Sequence, residues 1–351
     1  MRERAMEDQP VLTPVRDAHR FDEVALSRYL ERELPGFRGD LKLQQYVGGS
    51  SNPTFLMTAH DDRWVLRKRP PGDLLPSAHQ VDREHRVMHA LRDSEVPVPK
   101  MHLYCGDASI IGQAFYVMEM IEGRVTTSEM PNLAPAERRA VYEDFVRILA
   151  ALHQIDPQTV GLERHGRPGN YFARQIDRWS KQYRASATDE IIEMERLIEW
   201  MPNHIPEGDQ TTVIHGDYRI GNMLIHPTEP RIVAVLDWEL STLGHPMGDV
   251  SYHPAYAHHG EFDAFIDELP DRGIPTEAEW RQRYCELTGH DAIEHWSFYM
   301  AYNLFRLAAI IQGVYKRGLD GIASSELELD VQRERAVDCA RKAWAQVEGM
   351  R

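Results

Sequence analysis

Between Val213 and Glu239 the chain reads Val-Ile-His215-Gly-Asp217-Tyr-Arg-Ile-Gly-Asn222-Met-Leu-Ile, passes a Pro-Thr-Glu-Pro turn, and continues Ile-Val-Ala-Val-Leu-Asp237-Trp-Glu239. No other stretch of the 351 residues restricts the fold as much. Met223 to His226 and Ile232 to Leu236 are short runs of β-forming residues around a turn, which predicts a hairpin. One carboxylate precedes the hairpin, an amide stands five positions on, and a second carboxylate falls at its exit.

Each spacing suits one chemistry. Asp217 can accept a hydrogen bond from a hydroxyl and orient it in line with the γ-phosphorus of a nucleotide, while Asn222 and Asp237 offer hard oxygens to Mg²⁺ bridging the phosphates. His-Gly-Asp-Tyr-Arg-Ile-Gly-Asn with Leu-Asp-Trp-Glu closely resembles the aminoglycoside phosphotransferase and choline kinase group of protein-kinase-like enzymes. The resemblance implies an α+β, two-lobed protein-kinase-like fold: a small antiparallel β-sheet N-lobe with one main helix, and a larger, mainly helical C-lobe. It implies ATP and Mg²⁺ as cofactors, Asp217 as catalytic carboxylate, Asn222 and Asp237 as metal ligands, His215 as a structural histidine, and Asp249 as support for the loop.

The order of parts along the chain agrees. Residues 1 to 20 are polar, carry Pro10 and Pro14, and read as a loose arm that braces the fold. Residues 21 to 120 read as the nucleotide-binding lobe. A helix from Phe21 to Leu34 stops at Pro35-Gly36, and strands follow over Leu41 to Val47, Thr54 to Ala59 and Arg63 to Arg67. A helix over Val81 to Leu91 and strands over Met101 to Tyr104 and Ala114 to Met120 complete this lobe. Residues 121 to 351 read as the helical lobe: Pro135 to Ile155 is amphipathic, and Tyr171 to Trp200 and Thr276 to Gly313 repeat that character.

Nucleotide contacts are expected at Gly48, Gly49, Ser50, Ser51 and Asn52, where missing side chains let backbone N–H groups approach phosphates. Arg67 occupies the place of the kinase lysine, with Glu84 as its ion-pair partner, and a guanidinium binds as a fork where an ammonium is a point charge. Strand alternation puts Arg67 with Val65 on one face and Lys68 with Leu66 on the other; Lys68 and Arg69 are expected at a solvated edge. Met118, Glu119, Met120 and Ile121 are the hinge candidates for adenine.

Within the group, the chain resembles most the branch of kinase domains fused to acyl-CoA dehydrogenases, through Val65-Leu-Arg-Lys-Arg-Pro-Pro-Gly, the segment from Leu75 through Arg86, and Asn303 to Tyr315. That branch implies a hydroxyl on an acyl chain, such as a 4-hydroxyacyl-CoA, as acceptor, with Arg306, Gln312 and Tyr315 as substrate-side candidates. An aminoglycoside or other amino alcohol would instead favour acidic groups such as Glu261, Asp263, Asp267 and Glu268. A catalytically inactive nucleotide-binding regulator is the third reading. A formal net charge of -15 argues against a broad, non-specific nucleic-acid surface and leaves room for a local basic pocket for phosphate groups. No apolar run approaches the roughly 20 residues that cross a bilayer, and three scattered cysteines give no disulfide framework, so the expectation is a cytoplasmic protein. Oligomeric state is not encoded in any of these features.

Overall fold

In the computed structural model, which describes residues 10–47, 52–70, 80–257, 263–321 and 328–350, six strands form one antiparallel sheet. They are β1 (Leu12–Thr13), β2 (Lys42–Tyr46), β3 (Thr54–Ala59), β4 (Asp62–Lys68), β5 (Met101–Cys105) and β6 (Phe115–Glu119), in the order β1-β2-β3-β4-β6-β5. Helices α1 (Glu23–Glu33) and α2 (Val81–Leu91) accompany the sheet. Further on come α3 (Pro135–Gln154), α4 (Tyr171–Ser186), α5 (Ile192–Trp200), β7 (Thr212–Ile214), β8 (Met223–Ile225), β9 (Ile232–Val235) and β10 (Thr242–Gly244). The last helices are α6 (Glu277–Thr288), α7 (Trp296–Leu319) and α8 (Leu329–Glu348). The α+β class, with an antiparallel sheet followed by mainly helical chain, is the one predicted from the sequence.

The chain forms two compact units. The first takes the described residues of Met1–Thr126 together with Gln158–His165 and Gly221–Ser241; the second takes Thr127–Pro157, Gly166–Ile220 and the described residues of Thr242–Arg351. The β8–β9 hairpin thus belongs with the sheet unit although it lies far along the chain.

Alternation builds the first core. Phe55, Met57 and Ala59 on β3, Trp64 and Leu66 on β4, and Phe115 and Val117 on β6 share one apolar cluster with Leu26 and Leu30 of α1. Asp22 caps α1 by accepting the Ala25 N–H at 2.9 Å. Side-chain period two then sends Arg67 to the opposite face and Lys68 to the core face. Lys68 is only 2% exposed, with its ammonium 5.5 Å from the Phe21 ring centre, so the expected solvated edge is corrected at this residue. Burial lowers its pKa.

In the second unit, α7 is buried on nearly every side, as expected of a core helix, and packs against α4 and α8. Two stretches of continuous helical character each contain a break. Between α4 and α5, Gln312 donates to the Ser186 carbonyl at 2.9 Å and the Thr188 hydroxyl at 3.1 Å. After α6, Gly289 is left-handed (φ 75°) and its N–H returns to the Cys285 carbonyl, closing the helix. No helix among the described residues is long and apolar enough to cross a membrane.

Burial holds several imidazoles neutral: desolvation lowers His253 to about 3, and His85, His165 and His245 to about 4. Their folded pKa values lie below the unfolded value near 6.5, so between about pH 6.5 and pH 4 the unfolded chain takes up protons that the folded chain does not. Stability therefore falls as pH drops through that window. We expect the urea midpoint to decline steadily from pH 7 to pH 5; a flat midpoint would mean that these rings accept protons without unfolding.

Candidate active site

The predicted residues fall into two groups, one in each unit. In the sheet unit, β4 presents Arg67 opposite the apolar core, and α2 brings Glu84 beneath it. Arg67 Nε lies 3.0 Å from Glu84 Oε2, and its Nη2 donates to Asp237 Oδ1 at 2.6 Å. Glu84 is 1% exposed and also accepts from Tyr116 Oη at 3.0 Å and Asn52 Nδ2 at 2.6 Å. Burial raises the Glu84 pKa while Arg67 pulls it down, and for Arg67 burial is outweighed by the Glu84 and Asp237 charges, which hold it protonated. One cation therefore serves two carboxylates by using different nitrogens of its fork. Arg67→Lys keeps the charge but one bridge is lost, at a cost of about 1.5–3 kcal/mol for a charged hydrogen bond. The expected result is a lower melting temperature by calorimetry; an unchanged one would show that the bridge to Asp237 contributes nothing.

Asp237 leaves β9 in a left-handed conformation, φ 64° and ψ 57°, which Asp tolerates better than most residues. Its side chain is 31% exposed, and Asn222, 6% exposed, sits at the start of β8 with its carbonyl accepting the Leu236 N–H at 2.9 Å. An amide and a carboxylate are hard oxygen donors. Among the described residues no cluster of three or more His, Cys, Asp or Glu could hold a metal by itself. That donor set suits Mg²⁺, which takes one or two protein ligands and fills its octahedron with water and phosphate oxygens.

Gly48 to Ser51 lie outside the described residues. Asn52 turns its amide to Glu84, so it buttresses the ion pair. Of the residues expected to meet adenine, Met118 pairs across the sheet with Val65 and Met101, and the Glu119 N–H goes to the Lys100 carbonyl at 2.8 Å. Met120 and Ile121 follow beyond the strand. A Cβ on Gly123 would meet Leu224 Cγ at 2.3 Å and the Ile225 carbonyl at 2.8 Å, so only glycine lets this segment pack on the β8–β9 hairpin.

The helical unit carries the loop of Asp217. Asp249, fully buried, accepts the His215 N–H at 2.6 Å and the Gly216 N–H at 2.8 Å, one on each oxygen. His153 Nε2 lies 3.6 Å from the same carboxylate. Burial would raise the Asp249 pKa, but these donors outweigh it and the pKa is lowered. Gly216 has φ 85°, and its carbonyl accepts from Arg306 Nη2. The Asp217 N–H returns to His215 Nδ1 at 3.2 Å, and Tyr218 is anchored by its hydroxyl on the Phe145 carbonyl at 2.7 Å. The Asp217 side chain stays 19% exposed, with Arg219 Nε 3.2 Å from Oδ2 and the Tyr252 hydroxyl hydrogen-bonded to it.

Arg306 is 3% exposed and lies 5.4 and 4.7 Å from the ring centres of Trp179 and Tyr252; Gln312 is used at the α4–α5 break; Tyr315 is half-buried on α7. Sequence reasoning overlooked Arg219, Tyr252 and His153. Arg219 was findable, as a cation two positions from Asp217, whereas the other two are brought in by tertiary packing alone. Of the acidic residues considered for an amino-alcohol acceptor, Glu268 pairs with Arg272 at 2.9 Å and Glu261 lies outside the described residues.

The sequence profile of the phosphotransferase enzyme family matches residues 42–284. Acyl-CoA dehydrogenase family member 10 of Mus musculus is 44% identical over 323 residues, which are 90% of this chain and 30% of that protein. Acyl-CoA dehydrogenase family member 11 of Rattus norvegicus is 44% identical over 325 residues, 88% of this chain and 41% of that protein. The chain thus spans less than half the length of these relatives. A presumed aminoglycoside phosphotransferase from Ralstonia eutropha, known from a crystal structure, is 44% identical with a TM-score of 0.84, covering 94% of this chain and 99% of its own. An aminoglycoside phosphotransferase bound to AMP-PNP and hygromycin B shares the fold at 16% identity and a TM-score of 0.58, over 92% of this chain and 98% of its own.

Proposed function

The chain belongs to the phosphotransferase enzyme family, and from that premise we propose that this small-molecule phosphotransferase moves the γ-phosphoryl of ATP to a hydroxyl on an acyl chain carried by coenzyme A. The observation that carries the reading is the posture of Asp217: its loop is fixed from behind by Asp249 while its own carboxylate remains partly exposed. In that role Asp217 accepts the proton of the acceptor hydroxyl as the new O–P bond forms and the bond to ADP breaks, with no phospho-enzyme. Asn222 and Asp237 would hold Mg²⁺, which when bound neutralises charge on the phosphates. Arg67 orients Asp237, and Met120 and Ile121 offer backbone groups to adenine.

Two observations favour an anionic acceptor. The guanidinium of Arg219, its side chain 31% exposed, stands 3.2 Å from Asp217 Oδ2, and the matched relatives at 44% identity are acyl-CoA dehydrogenase family members. An amino-alcohol acceptor is the second reading, favoured by the equally similar Ralstonia protein. The test is ADP release from MgATP across 4-hydroxyacyl-CoAs, aminoglycosides, choline and simple alcohols. Stimulation by hydroxyacyl-CoAs alone supports the proposal; stimulation by aminoglycosides alone replaces it with the second reading. MgATP binding without stimulation by any acceptor would point to a nucleotide-binding regulator.

A further inference from the structure

Helix α2 reaches the Asp237 segment at a second place, independent of Arg67. One residue before Glu84, Arg83 donates through Nη2 to the Ser241 carbonyl at 3.0 Å and to the His165 carbonyl at 2.5 Å. Asp237 and Ser241 are the two ends of one short turn. Trp238–Leu240 form a single 3-10 turn between them, and the Ser241 N–H closes it on the Trp238 carbonyl at 3.0 Å. Inside the turn Trp238 is fully buried and donates to the Val235 carbonyl at 2.9 Å, and the Ser241 hydroxyl lies 3.2 Å from His165 Nε2. Ser241 and His165 are 2% and 1% exposed, so neither carbonyl can exchange Arg83 for bulk water without the packing opening.

Arg83 is half-buried, and burial, together with Arg86, lowers its pKa. Among the described residues its hydrogen bonds go to carbonyls of two separate chain segments, a use of a cation that fixes backbone position. Asp237, at the near end of the turn, keeps a left-handed backbone that most residues avoid and that persists only where surroundings enforce it. Arg67 restrains its carboxylate; Arg83 restrains the far end of its turn.

We infer that Arg83 is a positioning residue for the metal-binding carboxylate of Asp237, acting through the Ser241 carbonyl. The inference rests on the metal role proposed above for Asp237. Loss of Arg83 removes a charged donor from each of two buried carbonyls and frees the turn to relax, so the carboxylate is no longer held ready for the ion. An effect of one or two network hydrogen bonds corresponds to about 5- to 30-fold in an equilibrium constant.

The experiment titrates Mg²⁺ into the full chain with a fluorescent ATP analogue, and repeats nucleotide binding in chelator. Arg83→Gln is expected to raise the Mg²⁺ half-saturation about 5- to 30-fold and to leave metal-free nucleotide affinity at the wild-type value. Arg83→Lys, able to serve one carbonyl, should fall between the two, and it carries the test should the Gln variant fail to fold. Wild-type Mg²⁺ half-saturation in both variants overturns the inference. Asp237→Asn separates the two levels: if it abolishes the Mg²⁺ response while the Arg83 variants do not alter it, only the positioning role fails. If Asp237→Asn responds to Mg²⁺ like the wild type, the metal role itself falls.

Discussion

Asp217→Asn is expected to lower phosphoryl transfer by about 10²- to 10⁴-fold, the usual contribution of a positioned acid–base group, while ATP affinity and melting temperature stay near wild type. The reason lies in how the loop is held. Its backbone is fixed by Asp249 on the His215 and Gly216 N–H groups and by Arg306 on the Gly216 carbonyl, none of which uses the Asp217 carboxylate. Asparagine has the same shape and can still accept from Arg219 or Tyr252. It cannot take up the acceptor proton at neutral pH. The check is initial-rate ADP release with the best acceptor, alongside nucleotide titration and calorimetry of the same preparation. Turnover within threefold of wild type would remove Asp217 from the reaction, and a large loss of ATP affinity would mean that its carboxylate organises the nucleotide instead.

The posture of this loop also shows what the sequence could and could not say. Strands β3 and β4 were legible because Phe55, Met57, Trp64 and Leu66 alternate, and the same alternation assigned Arg67 and Lys68 to opposite faces. Lys68 nevertheless defeated its expected surroundings, because a charged side chain next to a strand end says nothing about the Phe21 ring, from just ahead of α1, that lies against it. The two helical breaks were missed for a similar reason. Gln312 reaches a turn 126 residues earlier in the chain, a distance at which local periodicity carries no signal. Arg306 is the sharpest case. Its place on α7 could be read from spacing, but its partner, the Gly216 carbonyl, is 90 residues away, and a buried guanidinium will take any carbonyl or carboxylate that packing presents.

The order carboxylate, amide, carboxylate was readable because those residues lie within one continuous stretch. What the sequence left out is the layer behind them. Asp237 is steadied by Arg67, and Arg67 by Glu84, which Tyr116 and Asn52 in turn satisfy. From Asp237 through Arg67 to Glu84 each support is buried more deeply than the group it steadies, at 31%, 15% and 1% exposed. A deeply buried support loses little to solvent fluctuation, so the exposed carboxylate inherits a fixed position. The departure from lysine at Arg67 follows from the same arrangement, since an ammonium has no pair of fixed donors with which to join Glu84 and Asp237.

Asp249→Ala is expected to remove activity and stability together, in contrast to Asp217→Asn. The buried carboxylate satisfies two backbone N–H groups that have no access to water, and His153 lies against it. Deleting it leaves both donors orphaned at about 1–3 kcal/mol each, so a loss of about 3–5 kcal/mol is expected, in line with breaking other buried charged contacts. Asp249→Asn should recover only part of this, because an amide keeps one acceptor oxygen and turns its NH₂ toward the second N–H. The pH dependence gives the carboxylate its signature. The folded pKa of Asp249 is depressed, so its stabilisation is present above the unfolded carboxylate value and is lost as pH falls through the folded one. The gap between wild type and Asp249→Ala in urea midpoint should therefore be constant from pH 8 to pH 5 and narrow only at more acidic pH. A gap that is absent at pH 7 would show that the two N–H groups find other acceptors, and that the posture of Asp217 does not depend on Asp249.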